Sequence, residues 1–165
     1  MATTYEKIAT TTLGSAAATI DFTSIAATYT DLKLVLVGKT STDAVVRLRF
    51  NSDSASNYSN TFLYGDGAGA ASSRSTSQTF ANLSFGADFR SAQPGLISTD
   101  IFSYAGSTFK TLLSNECLDL NGGGTVNPSV SLYRSTSAIT SVNLLLSTGT
   151  FSTGTIATLY GILKA

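Results

Sequence analysis

Histidine and tryptophan do not occur in this chain of 165 residues, cysteine occurs once and proline twice. Without histidine the chain cannot by itself build a Ser-His-Asp or Cys-His relay, a His-ligated metal centre or a His-held haem. The lone thiol, Cys117, excludes a disulfide framework, because it has no partner within the chain. Charge is scarce as well. Ten basic residues balance ten acidic ones, and together they make up 12% of the chain, against about 25% in an average globular protein. A formal net charge of zero leaves no broad field to draw in nucleic acid phosphates or an anionic membrane surface, so neither is expected as a partner. No run approaches the roughly 18 apolar residues of a membrane-spanning helix, and the opening segment Met1 to Lys7 has no apolar stretch of a secretory kind. The expectation is a soluble protein made in a cytoplasm.

Apolar residues are plentiful at 42%, enough for a real core, and serine and threonine supply most of the remaining surface. The apolar positions recur with period two, in short β-branched and aromatic bursts separated by Gly, Asn, Asp and Ser. In the run 44–50, Val46, Leu48 and Phe50 face one way and Val45, Arg47 and Arg49 the other, which places Arg47 and Arg49 on a wet or partner-facing side. Strands are also expected over 7–12, 19–22, 32–37, 58–64, 80–85, 96–104, 108–113, 129–134, 141–146 and 155–163. Ala105-Gly106-Ser107 reads as a tight hairpin, and Asn121-Gly122-Gly123-Gly124 as a longer flexible turn. The stretch 65–78 is small and polar without apolar period, and reads as the longest loop. The fold class implied is all-β, a two-sheet antiparallel β-sandwich of jelly-roll-like form, with 1–12 as an N-terminal arm or first strand and 13–165 as a single sandwich domain.

Motifs that could carry chemistry all have simpler structural readings. Gly65-Asp66-Gly67-Ala68-Gly69-Ala70 matches the loose dinucleotide fingerprint with Asp88 downstream, but the serine-rich residues after it open no helix, so a surface loop is the better reading. Asn51-Ser52-Asp53 with Asn57 offers oxygen ligands but lacks the further carboxylates of a calcium loop, and a hydrogen-bonded turn is expected. No metal and no cofactor are expected. Cys117, in an apolar strand-like run, reads as a small buried hydrophobe. The few acids give no pair placed for glycoside hydrolysis. Tyr58, Phe62 and Tyr64 with Asn57 and Asn60 could form a stacking platform for a glycan, set against the commoner role of strand aromatics in a core. Asn57-Tyr58-Ser59 and Asn82-Leu83-Ser84 fit the glycosylation pattern, as chance allows in a Ser/Thr-rich chain.

Several words taken in order do carry a likeness. They are Ile20-Asp21-Phe22-Thr23-Ser24-Ile25, Tyr29-Thr30-Asp31-Leu32, Arg49-Phe50-Asn51 with Ser56-Asn57-Tyr58-Ser59, Ile101-Phe102-Ser103-Tyr104, 133–141 (YRSTSAITS) and Leu159-Tyr160-Gly161-Ile162. As a set they resemble small structural proteins of tailed bacteriophages, especially marine and cyanobacterial ones. The resemblance implies a virion component without catalytic activity, either decorating the capsid or heading a tail or collar appendage. The chain starts almost at its first strand without a fibrous shaft, which favours capsid decoration. The implied partners are further copies of itself, with a trimer expected from the three-fold symmetry of such sites, a major capsid protein or a tail or collar protein, and a host surface glycan for the appendage alternative; a polysaccharide depolymerase is the outsider. Contact residues are expected among Tyr5, Arg47, Arg49, Tyr58, Tyr64 and Arg74, with the N-terminal arm Ala2 to Thr12 and the hydroxyl-rich loops as docking elements.

Overall fold

Large apolar residues at every second position put Leu32, Leu34 and Leu36 on one side of a strand and Val46, Leu48 and Phe50 on one side of another, and these six are buried against each other's neighbourhoods in the core. A computed structural model describes residues 4–86 and 89–163. Twelve strands run through them: β1 Tyr5–Thr12, β2 Thr19–Phe22, β3 Asp31–Gly38, β4 Val46–Phe50, β5 Tyr58–Gly65, β6 Ala70–Gln78, β7 Ala81–Asn82, β8 Gly95–Phe102, β9 Lys110–Asp119, β10 Gly124–Tyr133, β11 Val142–Leu146 and β12 Ile156–Ile162. All pair antiparallel, in an eight-stranded sheet ordered β1-β12-β3-β8-β9-β10-β5-β6 and a four-stranded sheet ordered β2-β11-β4-β7. Early strands pair with late ones, β1 with β12 and β2 with β11, the nesting expected of a long hairpin rolled into two layers. The two-sheet antiparallel sandwich read from the sequence is therefore the fold.

The unequal sheets give the core two characters. On the inner faces of β12, β8 and the small sheet the interior is aliphatic and aromatic, with Ile20, Phe22, Ile97, Ile101, Val142, Leu144 and Leu159 buried. The inner faces of β9, β10 and β5 carry Ser114, Glu116, Asn127, Ser129, Ser131 and Asn60 instead, all nearly inaccessible. A segment around β7 roofs this polar half. Asn60 Oδ1 accepts the Asn82 N–H at 2.9 Å and the Ser131 hydroxyl at 2.8 Å, and Asn127 Nδ2 donates to Glu116 Oε2 at 2.8 Å. Phe85 of the same segment packs on Phe62 and Tyr64, with ring centroids at 5.3 and 5.6 Å.

Two local expectations change. The stretch 65–78 is not a loop throughout, because 70–78 forms β6, an edge strand paired with β5. Both of its faces meet solvent, so it needs no apolar alternation and its backbone ladder alone holds it. The turn before it is closed by Asp66 Oδ1, which accepts the N–H groups of Ala68 and Gly69 at 2.9 and 2.8 Å. β10 also begins well before 129 and runs through Pro128, which has a strand on either side and forgoes one ladder bond for want of an N–H. The β9–β10 turn is short, with Leu120 N–H on Gly123 O at 2.9 Å. Gly124 leaves it at φ 151°, where an added Cβ would press on the Leu118 carbonyl.

Candidate functional site

In a sandwich the outward positions of each strand are normally polar, and here the large sheet breaks that rule. Among the described residues ten large apolar side chains are exposed; nine lie at outward positions of this sheet, and the tenth, Phe109, immediately precedes β9. Strand register places them in rows. Ile156 lies opposite Val37, Val37 opposite Leu96, Leu96 opposite Cys117 and Cys117 opposite Val126, so five adjacent strands contribute one continuous apolar row. The four aliphatic members of that row are between 39% and 60% exposed. Farther along, Leu113 and Val130 stand side by side, and Phe102 ends the face. The one ion pair among the described residues of this face neutralises itself, Lys33 Nζ lying 2.8 Å from Asp100 Oδ1.

The face is shaped as well as apolar. At the end of the Leu96 row, the β5–β6 turn and the β9–β10 turn wall a trough of about 910 Å³, floored by Val37, Leu96, Cys117 and Val126 and closed on one side by Pro94. At the other end, Phe102 closes β8 on the outward side and Phe109, exposed as well, sits just before β9. Contiguous apolar patches beyond a few hundred Å² are uncommon on monomers and mark surfaces that another molecule covers.

Cys117 belongs to this floor. It is exposed rather than buried, because β9 turns Leu112, Ser114, Glu116 and Leu118 inward and Leu113, Asn115 and Cys117 outward. The sequence reading assigned the apolar thiol to the interior on hydrophobicity alone, whereas the roofed polar half accepts Ser114 and Glu116 there.

The contact residues expected from sequence are scattered. Tyr5 is exposed on the edge strand β1, and Arg74 is exposed on the opposite edge strand β6. Arg47 and Arg49 are half-buried on the outer side of the small sheet. The Arg47 guanidinium lies 3.9 Å from the Phe80 ring centroid, and Arg49 Nε donates to Thr79 O at 3.0 Å. Tyr58 has no accessible surface, which removes it as a stacking ligand contact. It stacks on Tyr133 at 4.7 Å, and its hydroxyl oxygen accepts the Phe50 N–H at 3.0 Å. Phe62 is buried on the same strand and Tyr64 is held against Phe85, so these aromatics take the core role set against a glycan platform in the sequence. Asp88 and Ala2, invoked in two of the sequence readings, lie outside the described residues.

The Asn51–Asp53 turn is internally satisfied. Asn51 Oδ1 accepts the N–H groups of Thr140 and Ser141 at 2.8 and 3.2 Å, and its Nδ2 donates to Ala138 O at 2.8 Å. Asp53 accepts from Ala55 N–H, Asn57 Nδ2 and the Tyr133 hydroxyl at 2.8, 2.8 and 2.9 Å. No cluster of three metal-ligating side chains exists among the described residues. Asn51 also sits at φ 52°, a left-handed position that asparagine tolerates. Asn51→Ala is therefore expected to cost about 2–3 kcal/mol in urea unfolding, and added calcium to leave the melting temperature unchanged.

Titration sets the pH limits of the fold. Burial raises the hydroxyls of Tyr58, Tyr104 and Tyr133 above the ordinary tyrosine value. Such groups stabilise fully below the unfolded value near pH 10, and that stability is lost as pH climbs through the folded values. Tyrosinate absorbance from these three side chains is expected to appear together with loss of the native circular dichroism, not before it. On the acid side, the Ser91 N–H and then Arg90 hold Asp43 below its usual range, while at Asp53 burial is outweighed by Asn57, Ala55 and Tyr133. Their contribution is present above about pH 4 and lost as pH falls through the lowered values.

No protein family matches the chain, and no curated protein matches it. No helix among the described residues is long and apolar enough to cross a membrane.

Proposed function

We propose that this chain is a non-enzymatic structural protein of a bacteriophage-type virion, working on the particle surface as a capsid decoration or stabilising protein in several copies. One observation carries the reading: the outer face of the eight-stranded sheet is apolar, self-neutralised in charge and open to solvent, which suits a protein that works when a neighbouring protein covers it. The resemblance of the ordered words to phage structural proteins supplies the kind of assembly. The scarcity of charge supports the same reading, since a protein repeated many times on a particle docks by shape and apolar contact rather than by a net field. The glycan-binding alternative has less to stand on once Tyr58 and Phe62 face inward. Mass spectrometry of purified particles is expected to find the chain in many copies per particle, and particles lacking it to lose contents at a lower temperature. Absence of the chain from purified particles would overturn the reading.

A further inference from the structure

We infer that the outer face of the large sheet is covered by a second copy of this chain, stacked antiparallel about a two-fold axis lying in the plane of the sheet and crossing the strands. The inference deepens the proposed function and takes from it only that the face is covered when the protein works. Its ground is the difference between the two ends of the face. One end is the trough floored by Leu96, Cys117 and Val126, and the other carries the exposed rings of Phe102 and Phe109. On β8 and β9 these ends are separated by six residues, about 20 Å of extended chain. Turning one copy end for end over the other brings the rings of each into the trough of the other, so both concavities are filled at once. A parallel stacking would set trough against trough, leaving both unfilled, and rings against rings.

Register gives the pairing in detail. With Leu96 of one copy beneath Phe102 of the second, the two-fold axis falls at the Leu34–Thr99–Ser114 level of β3, β8 and β9. Asp100 then faces Ser98, Lys33 faces Val35, Leu113 faces Asn115, and Cys117 faces Thr111. No like charges meet, and each Lys33–Asp100 pair stays intact within its own copy. The size also suits a second copy. Six central strands at about 4.8 Å spacing and rows spanning about 20 Å give on the order of 600 Å² of face, about 1,200 Å² over both copies, which is the lower end of the range for a specific interface.

Sedimentation velocity over a wide concentration range tests the stoichiometry. The chain is expected to be a dimer, and Phe109→Asp or Val126→Asp, both at exposed positions, each to weaken dimerisation by at least about tenfold while leaving the circular dichroism unchanged. Thr23→Asp, on the far side beyond β2, is expected to leave the dimer intact. Orientation is read by a short bismaleimide. Cys117 lies about 20 Å from its counterpart in the antiparallel arrangement, so the unaltered chain stays uncrosslinked, whereas Thr111→Cys gives a covalent dimer through Cys117 of the other copy. A monomer or a trimer, a dimer indifferent to both aspartates, or crosslinking of the unaltered chain through Cys117 would each overturn the inference. A monomer still found on purified particles would leave the virion reading standing, while a dimer absent from particles would do the reverse.

Discussion

Tyr58→Ala is expected to lower the unfolding free energy by about 3–5 kcal/mol, enough to unfold a domain of ordinary stability at moderate temperature. The side chain is wholly buried between the sheets, stacked on Tyr133 and within a cluster that includes Phe50, so truncation leaves a cavity that the strands cannot close without moving β5. Its hydroxyl also satisfies the Phe50 N–H, next to the turn that Asn51 and Asp53 organise. Tyr58→Phe separates the two contributions. It keeps the ring and orphans the buried N–H, with an expected loss of about 1–3 kcal/mol. Urea unfolding followed by circular dichroism measures both. Full stability of Tyr58→Ala would show that Tyr58 is not a core residue, and full stability of Tyr58→Phe that the Phe50 N–H does not depend on its hydroxyl.

Gly161→Ala is expected to cost about 2–3 kcal/mol although it adds one carbon. Gly161 lies in β12 opposite Leu32, on the inner side of the sheet, and the Tyr29 ring rests directly on its Cα, so an added Cβ would overlap the ring. The ring has little room to withdraw, because the Tyr29 N–H is bonded to the Tyr104 hydroxyl at 3.2 Å, and that hydroxyl in turn donates to Ala26 O. The cost should therefore fall sharply when Tyr29→Ala is combined with it, a non-additivity that a double-mutant cycle resolves. Gly14→Ala is the control. Nothing lies within 4 Å of its would-be Cβ, and a change within about 0.5 kcal/mol is expected. Equal effects at Gly161 and Gly14 would show that the Tyr29 packing is misread.

How far the sequence carried the fold depended on whether a strand had one wet and one dry side. β2 at 19–22 and β11 at 142–146 were legible to within a residue, because Ile20, Phe22, Val142 and Leu144 alternate with polar neighbours and pair with each other across the small sheet. β6 was not, since a strand at a sheet edge with both faces in water carries no periodic mark. The first half of β10 was hidden by Pro128, which local rules place outside a central strand. The run 80–85 collapsed to the two residues of β7: Leu83 N–H and the Ser84 hydroxyl still bond the Val46 backbone of β4, while Phe85 turns onto Phe62 and Tyr64 of β5.

The candidate surface was harder to see for a deeper reason. Parity along β9 and β10 is visible in the sequence, but which parity faces the core is inferred from hydrophobicity, and here apolar residues line both sides in places. Leu113, Cys117, Val126 and Val130 point away from the core while Ser114, Glu116 and Asn127 point into it. Only the layer above those strands decides the matter. A signal was present: three strands in a row with apolar residues on the side opposite their buried neighbours is what a sheet covered on both faces looks like.

Central to this account is that the outer face of the large sheet is covered when the protein works, and Cys117, the chain's one thiol, reports on it from the floor of the trough. The measurement is the rate of maleimide modification of Cys117 in intact purified particles against that in dilute free chain. The account predicts rapid modification of the dilute chain and strong protection in the particle, released when the particle is dissociated. Equal rates in the two states would contradict it.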